Sequence, residues 1–208
     1  MGLTVAVLLG LRHATDPDHV TAVTTLVAGD QPSARGARRL GLSWGLGHAT
    51  TLFAFGVPIV VARSYLPDPV QRAAEAAVGV MIAVLAVRLL RRWRHGLLHR
   101  RDGSAAATRS PLQAYGIGLV HGMGGSAGVG VLLLSAIPDH AEALVALGMF
   151  ALFTAVSMAI ASTTVGFVLS RGPVLRSYVT VVPALGALSL AFGVWYALGA
   201  LEAVPYVL

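Results

Sequence analysis

Six apolar stretches, each long enough to cross a lipid bilayer, fill most of this chain and leave it few folds to choose from. A spanning helix needs about 20 consecutive apolar residues. Inside lipid every backbone N–H and C=O must find a partner within the structure, which for single spans means α-helix. The stretches run roughly from Gly2 to Ala28, Leu40 to Val61, Val70 to Leu90, Leu112 to Ile137, Ala141 to Leu169 and Tyr178 to Leu201. In 208 residues no room remains for a separate soluble domain. The expected fold is all-α: a polytopic membrane helical bundle of six transmembrane helices forming one domain over residues 1–208. Its halves would cover 1–95 and 111–208, joined by a basic loop over 91–110. The apolar run at residues 2–11 has no basic flank before it and no small-residue cleavage pattern after it, so it reads as half of a span and not as a signal peptide.

Charge excludes the soluble alternatives. Only 12% of residues are charged, against about a quarter in soluble domains, and disordered chains are richer still in charge. All fifteen basic residues are Arg. They cluster between the apolar runs, which explains the net charge of +6 by membrane orientation and not by a nucleic-acid partner. Twelve fall beside the first, third and fifth connections (Arg35, Arg38 and Arg39; seven from Arg88 to Arg109; Arg171 and Arg176). Two, Arg63 and Arg72, fall on the other side. The positive-inside rule then places the long loop in the cytoplasm and both termini outside a cytoplasmic membrane.

The first stretch carries the chemistry. His13-Ala14-Thr15-Asp16-Pro17-Asp18-His19 puts two His and two Asp inside an apolar run, and ionisable groups there are costly and usually functional. On a straight helix His13 and His19 point about 240° apart and cannot meet one ion. Pro17 cannot donate to the carbonyl of His13 and clashes with it. Asp16 before it resembles a helix N-cap followed by a first-turn proline. The expected first span is therefore broken, with one half ending near Ala14 and the other starting at Pro17, turning His13, Asp18 and His19 toward one point. His48 and His121 lie in the second and fourth spans. At about 1.5 Å per residue in a core about 30 Å thick, all four histidines fall in one central layer. His95, His99 and His140 lie in connections, where solvated side chains are expected, although His95 and His99 sit where a metal would reach a cytoplasmic mouth.

The chain has no cysteine, so a site of four His and an Asp is nitrogen-rich and suits Ni, Co, Zn or Cu(II). Binding needs neutral His and ionised Asp, so metal uptake would release protons. The glycines beside the histidines have a packing role of their own: Gly41/Gly45, Gly118/Gly122 and Gly124/Gly128 are spaced for close helix approach. They can join spans within one chain or between two copies of a homo-oligomer. A faint repeat also shows. Gly10-Leu11-Arg12-His13 matches Gly118-Leu119-Val120-His121 at three of four positions, and Gly79 and Gly186 fall at similar places in the third and sixth spans. Three spans per half would make the halves inverted, a plan that puts the site at the repeat interface.

At these residues the chain resembles the nickel/cobalt transporter family. Arg12 to His19 is similar to that family's signature of a His, four residues, then Asp-His, and Leu46-Gly47-His48-Ala49-Thr50 is similar to its second motif. The segment around His121 resembles the shorter six-span relatives labelled urease-accessory or hydrogenase-accessory nickel permeases, with His121 and glycines where longer members carry acidic motifs. The resemblance implies uptake of Ni²⁺ or Co²⁺ across a bacterial cytoplasmic membrane. The metal would be transported substrate, with no cofactor and no enzymatic activity, and the lipid bilayer would be the other partner. Metal-binding roles carry over to His13, Asp18, His19 and His48, with His121 from the second half completing or gating the site. Two other readings stand beside it. One is an intramembrane zinc hydrolase, with Ser126 or Asp16 near the reaction and an open position on the metal. The other is a metal-binding membrane subunit that does not transport.

Overall fold

The computed structural model describes residues 2–28, 33–63, 67–95, 110–122, 124, 128, 130–131, 135–171 and 177–205. Among them the regular structure is helical throughout, with no strand. The principal helices are α1 (Gly2–His13), α2 (Pro17–Ala28), α3 (Ala34–Ala62), α4 (Asp68–Arg94), α5 (Pro111–His121), α6 (His140–Leu169) and α7 (Tyr178–Ala200). Four of these, α3, α4, α6 and α7, are long and apolar enough to cross a membrane. Large apolar side chains point outward from them and from α1, with Leu8 61%, Ile160 58% and Leu188 69% exposed. Water would penalise such a belt, whereas lipid accepts it. The chain is a multi-pass membrane protein.

Local chemistry explains most helix ends. Ser33 caps α3 by accepting from Gly36 N at 3.0 Å, and Asp139 caps α6 by accepting from Glu142 N at 2.7 Å. Ser110 and Gln113 form a reciprocal capping box around Pro111 at the start of α5. The first apolar stretch divides as Pro17 requires. The carbonyl of His13 accepts from Asp16 N at 3.2 Å, since Pro17 has no N–H to offer. Asp16 O then starts α2 by accepting from Val20 N at 2.9 Å. The fourth expected span differs from a plain helix. α5 stops at His121 after 11 residues, and much of the chain from there to residue 134 lies outside the described residues, as do residues 96–109 of the basic loop.

The long helices pack as two antiparallel pairs, α3 with α6 and α4 with α7. Lipid tails are as apolar as leucine, so close backbone approach must hold such pairs. Gly41 of α3 abuts Ser162 and Gly45 abuts Ala155 of α6, which gives that glycine pair its packing role. Gly124 abuts Ala74 and Glu75 of α4, whereas Gly128 has no described residue within 4 Å of where a side chain would start. Two of the three short helices, α1 and α5, lie parallel to one member of the α3/α6 pair each. α1 sits on α6 with Gly10 against Phe150 O and Thr154 N, and α5 sits on α3 with Gly118 against Trp44 O and His48 N. In both cases the glycine meets a carbonyl and the amide four residues on. In the α4/α7 pair Gly79 lies against the backbone of Ala197, and Gly186 lies against the Leu90 side chain. α2 threads between these pairs. It buries Val23, Leu26 and Val27 in a core shared with Trp44, Ile82, Met158 and Tyr196, and Thr25 reaches Ser189 of α7 at 2.9 Å.

Candidate metal centre

Three helix termini and one mid-helix face converge on a single buried cluster. His13 is the last residue of α1, Asp18 and His19 lie in the first turn of α2, His121 ends α5, and His48 lies mid-way along α3. All five side chains are buried, with His19, His48 and His121 fully so. The break at residues 14–16 is what lets α1 and α2 contribute side by side. The His13 and His19 rings, which a straight helix would separate, lie 4.3 Å apart between centroids.

Two sets of ligand atoms can be drawn from the cluster. His13, His19 and His48 offer one atom each, all within 4.8 Å of one another, and so do Asp18, His19 and His121. His19 belongs to both. The closest pair, His13 Nε2 and His48 Nε2, is 2.9 Å apart, a separation that one proton or one cation between them satisfies. Two nitrogens about 2.1 Å from one ion lie about 3.0 Å apart at a right angle and about 3.4 Å apart at the tetrahedral angle, so these two stand at ligand distance. Asp18 joins the two sets. Its Oδ1 is 2.9 Å from His19 Nδ1, and its Oδ2 is 3.1 Å from His121 Nε2. A carboxylate that takes the second nitrogen of an imidazole fixes the ring and leaves the far nitrogen for a metal. His19 Nε2, His48 Nδ1 and His121 Nδ1 are buried with no hydrogen-bond partner. Buried polar atoms are seldom left so, and His19 Nε2, on the far side of its ring from Asp18, is the nitrogen left for a cation.

Asp16 borders the cluster, its Oδ2 3.5 Å from His13 Nδ1, and the remaining candidates stand apart. His95 caps the exposed end of α4 and His140 is exposed at the start of α6, while His99 and Ser126 lie outside the described residues. Sequence reading passed over two aromatic residues at the site. Trp44 packs edge-on against His121, centroids 5.4 Å apart, and lies 5.8 Å from His19. Phe150 packs edge-on against His13 at 5.6 Å. Trp44 precedes His48 by one helical turn, and that spacing on one face was the available signal.

No family model matches the chain, and no solved structure matches it. Among curated proteins, it is 29% identical over 205 residues to the urease accessory protein UreH of Bacillus sp. (strain TB-90), a match covering 93% of this chain and 89% of that one. The resemblance to urease-accessory proteins is borne out by this match.

Proposed function

We propose that this relative of a urease accessory protein is a divalent-metal permease that takes up Ni²⁺ or Co²⁺ through the buried cluster of His13, Asp18, His19, His48 and His121. The observation that carries the reading is the convergence of four histidines and one carboxylate, buried together where the first apolar stretch breaks. The ion meets the nitrogens of His13, His19 and His48. Asp18 supplies the negative charge and orients His19 and His121, and His121 ties the second half of the chain to the first. The name of the relative, a urease accessory protein, suits delivery of a metal to the cell. Among the described residues nothing favours the hydrolase reading over transport.

The proposal includes six spans, with α1 and α2 together making the first and α5 with the chain up to residue 137 the fourth. It places the Arg-rich ends of α3 and α4 in the cytoplasm. It also includes an inverted repeat of three spans per half, supported by paired contacts. Gly10 meets α6 as Gly118 meets α3, and the contact of Gly79 with Ala197 of α7 is matched in register by that of Gly186 with Leu90 of α4. Ser157 of α6 donates to Gly10 O at 2.9 Å, and Thr51 of α3 donates to Leu119 O at 2.9 Å. In such a repeat one half rocks against the other around a central site.

The test is flux. Liposomes holding the purified protein and a metal-sensitive dye receive Ni²⁺, Co²⁺, Zn²⁺ and Mn²⁺ in turn. Influx of nickel or cobalt above that of empty liposomes is expected, and tight binding without flux for any of the four would overturn transport in favour of a non-transporting subunit. A second result follows from Trp44. In a Trp93→Phe, Trp195→Phe background Trp44 is the one tryptophan left. Its ring is 5.8 Å from that of His19, so paramagnetic Ni²⁺ or Co²⁺ in the cluster should quench more than half of its fluorescence, while filled-shell Zn²⁺ should not. Fluorescence unchanged at saturating nickel would place the metal elsewhere.

A further inference from the structure

We infer that Thr154 is the second half's counterpart of His48 and presents a neutral oxygen ligand to the metal, an inference that rests on the metal reading above. Three observations converge on this residue. The first is register. Gly118 of α5 lies against Trp44 O and His48 N, and Gly10 of α1 lies against Phe150 O and Thr154 N, so Trp44 pairs with Phe150 and His48 with Thr154. The second is the aromatic neighbour. Trp44, one turn before His48, packs edge-on against His121 at 5.4 Å. Phe150, one turn before Thr154, packs edge-on against His13 at 5.6 Å. The two histidines are themselves the matched ends of α1 and α5.

The third is the hydroxyl itself. A helical threonine ordinarily returns its hydroxyl to the carbonyl four residues back. In this chain Thr25, Thr50 and Thr163 all do so, at 2.7, 2.8 and 2.6 Å. Thr154 does not. It is 0% exposed, and its Oγ1 has no hydrogen-bond partner. An unpaired hydroxyl sealed in an apolar bundle is costly. Its position in α6, one turn from the ring that packs on His13, gives that cost a use. The hydroxyl keeps two acceptor lone pairs for an ion lying between α1 and α6. The first half contributes nitrogen at this register and the second half oxygen, so the centre favours borderline ions that accept both.

The test uses Co²⁺ binding to the purified full chain in detergent, read by titration and by the visible absorption of the bound ion. Four-coordinate Co²⁺ absorbs several times more strongly than five- or six-coordinate Co²⁺. Thr154→Val keeps the shape and removes the oxygen. It is expected to weaken Co²⁺ binding about tenfold, at the scale of losing one supporting group of a metal site, and to intensify the visible bands. Thr154→Ser should restore both, which a purely structural role of the methyl group would not. Where valine does not fold, Thr154→Ala removes the same oxygen and is read the same way. Affinity and spectrum like wild type in the valine or alanine variant would overturn the inference. His48→Ala separates the two layers of the argument. If it loses Co²⁺ while Thr154→Val binds as wild type does, the metal centre stands and Thr154 is no part of it. If wild type binds no Co²⁺, both fall.

Discussion

Cells expressing His19→Asn are expected to accumulate no more labelled nickel or cobalt than cells lacking the protein. His19 is shared by both sets of ligand atoms, and its ring lies 4.3 Å from that of His13 and 4.1 Å from that of His121. No other residue of the cluster is so placed. Asparagine is the informative replacement. Its amide N–H can still reach the Asp18 oxygen that now lies 2.9 Å from His19 Nδ1, so the buried carboxylate keeps its partners. What asparagine lacks is an atom at the place of Nε2, the nitrogen that has no partner within the protein. Alanine would remove both functions, and stripping one partner from a buried charge is destabilising in itself. The loss of metal affinity should exceed about 100-fold, the upper end for removing a group that merely supports a ligand. His121→Asn should lose less, because in this arrangement its bond to Asp18 positions and does not bind the ion. Wild-type accumulation by His19→Asn would sink the metal reading. Equal losses for the two variants would instead make His121 a ligand of the same standing as His19.

Much of this arrangement is legible in the sequence because the bilayer imposes simple rules. A continuous apolar run must be helical, and so α3, α4, α6 and α7 fall where the apolar stretches place them. Pro17 cannot take its place in the hydrogen-bond ladder, and so the break between His13 and Pro17 is local chemistry. The four histidines follow from depth alone. Residues at the same distance from the ends of their spans are expected to share a layer, and the structure brings the four histidines into one cluster. The rest depends on which face each helix turns inward. Helices that are apolar all round give no such signal, because leucine is as much at home in lipid as in the bundle. Trp44 and Phe150 therefore read as ordinary span residues until α5 and α1 are laid on them. Thr154 is hidden for the same reason, as one hydroxyl among several in α6. The end of α5 at His121 is a further case. The glycines after it weaken any helix, but their number does not say where the helix stops.

Gly118→Ala should cost the protein both its stability and its metal. A β-carbon there would lie 2.1 Å from Trp44 O and 2.9 Å from His48 N. Both are backbone atoms of α3, and neither can turn aside as the end of a flexible side chain can. The helices must separate, by about 1 Å if the contact is to become tolerable. Three things give way together. The bond from Thr51 to Leu119 O, now 2.9 Å, lengthens beyond use. His121 draws back from Asp18, leaving a buried carboxylate oxygen short of its partner. Trp44 loses its seat against the His121 ring. Overpacking alone costs about 1–3 kcal/mol, and the unpaired carboxylate adds to it. The variant should therefore unfold at a markedly lower temperature in detergent and bind nickel at least ~10-fold more weakly, in line with loss of an orienting partner. Gly116→Ala is the matched control. It lies two residues away in the same helix, and a β-carbon there has nothing within 4 Å. Since alanine favours a helix over glycine by about 0.5–1 kcal/mol, that variant should be as stable as wild type or more so, with unchanged nickel affinity. A Gly118→Ala protein that melts and binds like Gly116→Ala would mean that α5 does not seat against α3 through this glycine. The matched packing of the two halves, on which the repeat rests, would then fail with it.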